Sequence, residues 1–227
     1  MNKHFMKHLL LPLLLCSSLS HASLCESGHR QSPINITTSA LATQKLPAMQ
    51  PDYRAAPLRL ANDGHTVRVR FSHSGELVLG KEHYTLQQFH FHTPGGDQIN
   101  GEAFPLAGHI LHKSRSGQLL AIVVPFRLGA ESPLLKQLMP LIPAKVDGDH
   151  THPAITVSAR ELMPKQLGYY RYTGSLTAAP CTEGVQWLVM KQPMELSAAQ
   201  LAEYKRHFAD NMRGVNPLYQ RPIFESE

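Results

Sequence analysis

Short runs of alternating apolar and polar residues dominate the chain. Such alternation is typical of β-strands that bury one face and expose the other. Turn-forming stretches separate the runs, among them Asn62-Asp63-Gly64 and Pro94-Gly95-Gly96. The pattern predicts strands over residues 66–71, 76–79, 85–92, 109–112 and 119–126.

Two segments have the spacing and the start signals of α-helices. Ser132 followed by Pro133 is a typical helix start, so residues 134–141 are predicted to be helical. Ser197 is the predicted cap of a second helix over residues 197–208, where apolar residues recur at helical spacing. The sequence therefore predicts a mainly β fold with a few surface helices.

The N-terminus has the features of a secretion signal. Lys3 and Lys7 precede an apolar run over residues 9–15, and Ser20-His21-Ala22 has small residues where a signal peptidase reads. We expect cleavage after Ala22, which leaves a single domain over residues 23–227 in the periplasm or outside the cell. The apolar run is too short to span a bilayer, so no stable membrane anchor is expected.

Charge excludes one class of partner. Loss of Lys3 and Lys7 with the signal lowers the formal net charge from +5 to about +3. Basic and acidic residues are interspersed along the remaining chain, and no cluster of Lys or Arg marks a nucleic-acid surface. We therefore expect no nucleic-acid partner, and the residues indicate no particular oligomeric state.

The cysteines are consistent with an exported protein. Cleavage removes Cys16 and leaves Cys25 and Cys181. An even pair of cysteines in an oxidising compartment is most simply one disulfide, and a free reactive thiol is the alternative.

Four histidines lie between residues 88 and 112, and three of them have a spacing that suits a metal ion. In a strand, His90 and His92 point to one face while Phe89 and Phe91 point to the other. His109 begins the next predicted strand, which can bring it opposite this pair. Three neutral imidazoles with one open coordination position form the pattern of a catalytic zinc site.

Two other interpretations of the histidines remain open on the residues alone. A surface strand with polar alternate positions also produces His-x-His by chance. A cupin-type iron site is also built on His-x-His, but it requires a Glu a few residues further on, and Glu102 lies too far downstream.

Five short segments, in this order, resemble the α-class carbonic anhydrases, especially their bacterial periplasmic members. They are QSPINI (31–36), NDGHT (62–66), QFHFH (88–92), GSLT (174–177) and EGVQW (183–187). The resemblance runs from about Cys25 to the C-terminus. It implies a large twisted mixed β-sheet and an enzyme, a zinc lyase that reversibly hydrates CO2 to bicarbonate and a proton by zinc-hydroxide attack. The implied partners are small molecules, CO2 and bicarbonate.

The resemblance also implies roles for individual residues. His90, His92 and His109 would bind Zn²⁺, Gln88 would orient His90, and the backbone carbonyl of Asn211 would orient His92. His65 would be the proton shuttle, and Thr177 would orient the attacking hydroxide. The apolar CO2 pocket would be lined by Leu111, Ile122, Leu176 and Trp187.

Departures from the family pattern point to weakened activity. Gly96 and Ala107 stand where the family has glutamates. The glutamate at the position of Gly96 accepts a hydrogen bond from the threonine that corresponds to Thr177, and the one at the position of Ala107 hydrogen-bonds to the third histidine. Asp97 and Glu102 are the nearest carboxylates that could replace the two glutamates. A further departure is that the N-terminal segment that covers the site rim in most bacterial members is missing. The resemblance, with these departures, implies a carbonic anhydrase of reduced efficiency, and the alternative is a non-catalytic, zinc-binding relative.

Overall fold

A twelve-stranded β-sheet organises the computed structural model, which describes residues 24–227. The strands are β1 (Asn35–Ile36), β2 (Met49–Tyr53), β3 (Ala56–Asn62), β4 (Val67–Arg70), β5 (Gly75–Leu79), β6 (Glu82–His92), β7 (Gln98–Ile99), β8 (Glu102–Ala103), β9 (Leu106–Ser114), β10 (Leu119–Leu128), β11 (Asp147–Val157), β12 (Tyr169–Ser175), β13 (Glu183–Met190), β14 (Met194–Leu196) and β15 (Phe224–Glu225). The helices are α1 (Leu24–Ser27), α2 (Pro133–Leu138) and α3 (Ala198–His207), with 3₁₀ turns at Thr38–Ala40, Met139–Leu141 and Ala159–Leu162. The prediction of a mainly β fold with a few helices is confirmed.

The main sheet is mixed, as expected. Its strand order is β11-β3-β4-β6-β9-β10-β13-β12-β15, with β14 beside β10, and with β5 pairing both β6 and β2. Most neighbours are antiparallel, whereas β13 and β14 run parallel to β10. A separate three-stranded sheet, β1-β7-β8, joins the N-terminal segment to the loop after β6.

The five predicted strands are all present, and β6 contains one feature that alternation did not predict. The pairing of β6 with β9 shifts register between Leu86 and Gln88. Such a bulge resets the alternation, so Leu86 lies in the same buried cluster as Phe89 and Phe91. Gln88 and His90, which follow the bulge, therefore share the face opposite to Leu86, although both lie an even number of positions from it.

Both predicted helices begin at the predicted caps. The side chain of Ser132 accepts a hydrogen bond from the Leu135 N–H, and α2 ends at Leu138, where a 3₁₀ turn completes the predicted segment. The side chain of Ser197 accepts a hydrogen bond from the Gln200 N–H, and the side-chain Oε1 of Gln200 accepts one from the Ser197 N–H. This reciprocal capping box fixes the start of α3.

The two faces of the sheet carry different clusters of side chains. One face carries the main core, which includes Phe89, Ile110 and Ile122, and the helices α2 and α3 cover it with residues such as Leu135 and Tyr204. The other face carries a smaller buried cluster, whose members are Ile34, Ile36, Ala107, Ala121, Val123, Tyr172, Val185, Trp187, Val189 and Ile223. The candidate site lies on this second face.

The predicted disulfide is confirmed between Cys25 and Cys181, which are 156 positions apart in the chain. The predicted signal segment and its cleavage point after Ala22 lie outside the described residues. Between residues 24 and 227, no helix has the length and apolar character needed to cross a membrane.

Candidate metal centre and its cavity

Pairing between β6 and β9 brings the three predicted ligands together. His90 lies directly opposite His109 in this antiparallel pair, and opposite residues project from the same face of a sheet. His92 follows two positions after His90 and therefore joins them, while Phe89 and Phe91 are buried on the other face. Potential ligand atoms of the three histidines all lie within 4.8 Å of one another, so the group could hold a metal ion.

Hydrogen bonds fix which ring nitrogens of two histidines carry protons. Nδ1 of His90 lies 2.9 Å from Oε1 of Gln88, and Nδ1 of His92 lies 3.0 Å from the backbone oxygen of Asn211. Carbonyl oxygens only accept hydrogen bonds, so both Nδ1 atoms donate and both Nε2 atoms keep a lone pair. The two Nε2 atoms face each other at 2.9 Å with no proton left to share. A cation between them relieves this repulsion, so the donor set fits a metal ion.

Burial keeps the three imidazoles neutral. It lowers the pKa of His92 to about 4, although hydrogen bonding to Asn211 partly opposes the shift. Burial also lowers the pKa of His90 and of His109 well below the ordinary value, and the neighbouring histidines add to the effect. Since metal ions bind only the neutral imidazole, the site is ready for a metal at neutral pH.

The third histidine has less support than the other two. Nε2 of His109 is buried and has no hydrogen-bond partner in residues 24–227. Ala107 lies two residues earlier on the same face and offers no acceptor, and Glu102 is exposed in β8. Neither carboxylate considered from the sequence, Asp97 or Glu102, hydrogen-bonds to this ring.

The conformation of the loop after His92 explains why residue 96 is not a glutamate. Gly96 has a φ of +88°, and a Cβ atom there would lie 3.0 Å from Cε of Met212. Asp97, the next residue, does point inward, but its Oδ1 accepts hydrogen bonds from the Tyr172 hydroxyl (2.8 Å) and the Ile34 N–H (3.0 Å). Burial raises the pKa of Asp97 to about 6. Asp97 therefore hydrogen-bonds to Tyr172 and Ile34 and not to Thr177.

A cavity of about 250 Å³ opens beside the three histidines. One wall is polar and the other is apolar. Its further lining residues are Asp63, His65, Thr66, Arg68, Gln88, Leu111, Leu119, Leu120, Ala121, Leu176, Thr177, Ala178, Ala179, Val185 and Trp187.

Three of the four residues expected in the apolar wall are present, and one expectation was wrong. Leu111, Leu176 and Trp187 line the cavity, whereas Ile122 lies in the main core on the opposite face. The cavity is lined instead by Ala121, which pairs with Leu111 across β9 and β10. Because side chains alternate along a strand, a shift of one residue in the sequence alignment moves the side chain to the other face.

His65 and Thr177 lie on different segments around the cavity. The backbone N–H of His65 donates to Oδ1 of Asp63, and its carbonyl accepts from Nδ2 of Asn211 at 2.6 Å. His65 is exposed to solvent. Thr177 lies just beyond the end of β12, in a loop held by a hydrogen bond from Leu176 N–H to the Thr182 carbonyl.

Arg68 is a cavity residue that the motifs did not reveal. It pairs directly with His90 between β4 and β6, and it forms an ion pair with Asp63. The alternation within residues 66–71 contained part of the signal, since Val67 and Val69 are buried on one face and Arg68 must lie on the other, which the pairing of β4 with β6 then shares with His90.

A large mixed sheet with three converging imidazoles beside an apolar cavity defines a histidine-based metal-site protein. The model of the eukaryotic-type carbonic anhydrase family matches residues 18–227. The chain belongs to this carbonic anhydrase family, as the sequence motifs indicated.

Relatives and solved structures agree with this assignment. A carbonic anhydrase of Pectobacterium carotovorum is 42% identical over 204 residues, which cover 88% of this chain and 82% of the relative. The α-carbonic anhydrase of Thermovibrio ammonificans in complex with sulfanilamide superposes with a TM-score of 0.82 at 33% identity, covering 90% of this chain and 89% of that one. Dioscorin complexed with ascorbate gives a TM-score of 0.82 at 31% identity, covering 89% of this chain and 87% of that one.

Proposed function

We propose that this protein catalyses the zinc-dependent, reversible hydration of CO2 to bicarbonate and a proton, in the periplasm or outside the cell after cleavage at Ala22. The observation that carries the proposal is the facing pair of Nε2 lone pairs on His90 and His92, with His109 beside them. Three imidazoles and an open cavity suit a zinc ion that keeps one exchangeable position. Bound zinc supplies a Lewis acid that makes a water molecule nucleophilic near neutral pH.

The remaining site residues position the reactants. Gln88 and the carbonyl of Asn211 hold the ligand rings in the tautomer that presents Nε2. The apolar wall formed by Leu111, Ala121, Leu176 and Trp187 receives CO2, a molecule without net charge that water solvates poorly.

Two further residues handle protons and orientation. His65 carries the released proton to buffer, because its side chain lines the cavity and is exposed to solvent. Thr177 orients the attacking oxygen with its hydroxyl. Without a glutamate at Gly96 this hydroxyl lacks the acceptor that the family provides. Without one at Ala107, Nε2 of His109 has no hydrogen-bond partner in residues 24–227. We therefore expect slower turnover than in members that keep both carboxylates.

A second function, zinc binding without catalysis, is favoured by the same unpaired ring. Loss of a hydrogen-bonding partner around a metal ligand typically costs about 10-fold to 100-fold in metal affinity or activity. The similarity to dioscorin, whose structure contains ascorbate, is consistent with a family member that binds a small molecule.

The decisive experiment measures CO2 hydration by stopped flow on purified mature protein, with zinc content determined on the same sample. We expect about one zinc per chain, and turnover that His109→Ala abolishes together with the bound metal. His150→Ala is the matched control, because His150 is exposed on β11 and its side chain hydrogen-bonds to Asp147 on the same strand. One zinc per chain without hydration above buffer would establish the non-catalytic alternative, and no bound metal would overturn both.

A further inference from the structure

The wall of the metal cavity contains a positively charged guanidinium group. Arg68 on β4 lies directly opposite His90 on β6, so both side chains project from the same face of the sheet. The side chain of Arg68 lines the cavity together with the three histidines. A fixed cation therefore lies beside the position proposed for the metal.

The guanidinium of Arg68 hydrogen-bonds to one carboxylate, that of Asp63, within residues 24–227. Nη2 of Arg68 donates to Oδ2 of Asp63, whose Oδ1 is occupied by the N–H groups of His65 and Thr66. Nε of Arg68 is buried, and nothing in the described part of the chain accepts its proton. Since a guanidinium has five N–H donors, a single carboxylate oxygen satisfies only a small part of its capacity.

Charge within the cavity favours an anion at this point. Among residues 24–227, Asp63 is the only carboxylate that lines the cavity. Its negative charge is balanced by the ion pair with Arg68. Imidazole binds a metal ion only in its neutral form, so any divalent ion that the three histidines hold makes the cavity positive overall. In a site walled by apolar side chains, this charge is screened little by water.

We propose that Arg68 is a specificity-determining residue that binds a planar oxyanion, bicarbonate or a small organic carboxylate, next to the metal. The inference rests on the proposed function, because bicarbonate is its product. An arginine offers two parallel N–H groups that match the two oxygens of a carboxylate, which a lysine or an amide does not. The volume of about 250 Å³ suits an anion of a few heavy atoms. Arg68 thereby retains bicarbonate and makes the site sensitive to carboxylate inhibitors.

Anion binding can be measured without reference to turnover. The full mature protein is loaded with cobalt(II), and its visible spectrum is followed during titration with sodium acetate and, separately, with sodium bicarbonate. We expect Arg68→Gln to raise the dissociation constant of both anions about tenfold, which is the low end for one hydrogen bond to a charged group. An effect on bicarbonate alone identifies the product as the ligand, and an effect on acetate alone identifies organic carboxylates.

Arg70→Gln is the matched control. Arg70 lies two residues further along β4 on the same face, is exposed, and pairs with Asp149 outside the cavity. It should change anion affinity by less than about twofold, because exposed charges at a distance are screened by salt. Equal losses in both variants would show that only overall charge matters and would overturn the proposal, as would unchanged binding in Arg68→Gln.

A conservative variant covers a folding or loading defect. If Arg68→Gln does not bind cobalt, Arg68→Lys decides, because it keeps the positive charge beside Asp63 but loses the parallel N–H pair. Weakened binding in this variant supports the proposal, and wild-type binding overturns it. Anion binding that depends on Arg68 in a protein without hydration activity would overturn the proposed function alone.

Discussion

Asn211 holds His92 from a position 119 residues further along the chain. Its backbone carbonyl accepts the Nδ1 proton of His92, while its side chain accepts from the Thr93 N–H at 2.7 Å and donates to the His65 carbonyl at 2.6 Å. One residue thus fixes a metal-binding ring, the backbone after it, and the turn that carries the exposed histidine. The C-terminal segment is therefore part of the site.

Asn211→Ala should weaken both the fold and the metal site. The substitution leaves the N–H of the buried Thr93 without its acceptor, which costs about 1–3 kcal/mol, whereas the carbonyl of the exposed His65 can bind water instead. We expect urea unfolding to show a loss of this size and zinc affinity to fall as the carbonyl of residue 211 becomes mobile. Asn211→Asp keeps the acceptor for Thr93 and should lose less. A variant within about 0.5 kcal/mol of wild type would contradict this role.

Ala107→Glu should strengthen zinc binding. The new carboxylate lies on the face of His109 and can accept the proton of its unpaired Nε2. We expect zinc affinity to rise about tenfold, measured by competition with a chromogenic chelator. The fit is tight, because a Cβ atom on Gly95 would already lie 3.2 Å from that of Ala107. Ala107→Met has similar length without an acceptor, so an equal gain in that variant would rule out the hydrogen bond as the cause.

Substitutions of two neighbouring residues on β10 should have different effects, because one residue lines the cavity and the other lies in the core. Ala121→Phe places a ring where CO2 is expected to bind and should lower kcat/KM for hydration by about tenfold or more, without loss of zinc. Ile122→Val lies on the other face, so it should cost about 0.5–1.5 kcal/mol of stability and leave kcat/KM unchanged. The reverse pattern would show that the faces of β10 are assigned wrongly.

The disulfide should contribute substantially to stability. Cys25 and Cys181 close a loop with a sequence separation of 156, and Cys25 lies near the start of the described chain. We expect replacement of both by Ser to lower the unfolding free energy by about 2–5 kcal/mol. Chemical denaturation of the variant and of reduced wild type should then agree. A larger loss in the variant than in reduced wild type would point to contacts of the cysteines other than the bond itself.

His112 should make the protein sensitive to acid. It is buried on the core side of β9, with Nε2 2.7 Å from the Tyr53 hydroxyl, and burial lowers its pKa to about 3. Below pH 6.5, His112 becomes protonated in the unfolded chain, whereas in the folded protein it stays neutral until the pH approaches 3. The unfolding free energy therefore falls with decreasing pH, by up to about 1.4 kcal/mol per unit.

Urea unfolding at pH 7.5 and pH 5 tests this effect on metal-free protein, so that release of metal does not contribute. His112→Gln should lose less stability than wild type between the two pH values. Equal losses would mean that other groups cause the acid sensitivity.

Local pattern alone determined a large part of this structure. Alternation located the five predicted strands, and Ser132 and Ser197 marked the helix starts, because these signals depend on neighbours within a few residues. His-x-His was also legible, since two positions on one strand share a face whatever the strand pairs with. The family motifs then pointed to the third histidine and to Gln88 and Asn211, whose oxygen atoms lie within hydrogen-bond distance of Nδ1 of His90 and of His92.

Only the tertiary structure decided how these elements meet. The bulge between Leu86 and Gln88, and the choice of Ala121 over Ile122 as the cavity residue, depend on register between strands, which pairing partners set. Asp97 is committed to Tyr172, a residue 75 positions away, and Arg68 faces the cavity only because β4 pairs with β6. Sequence determines the type of each side chain and its local periodicity. Long-range pairing determines which groups become neighbours and which, like Nε2 of His109, have no hydrogen-bond partner in residues 24–227.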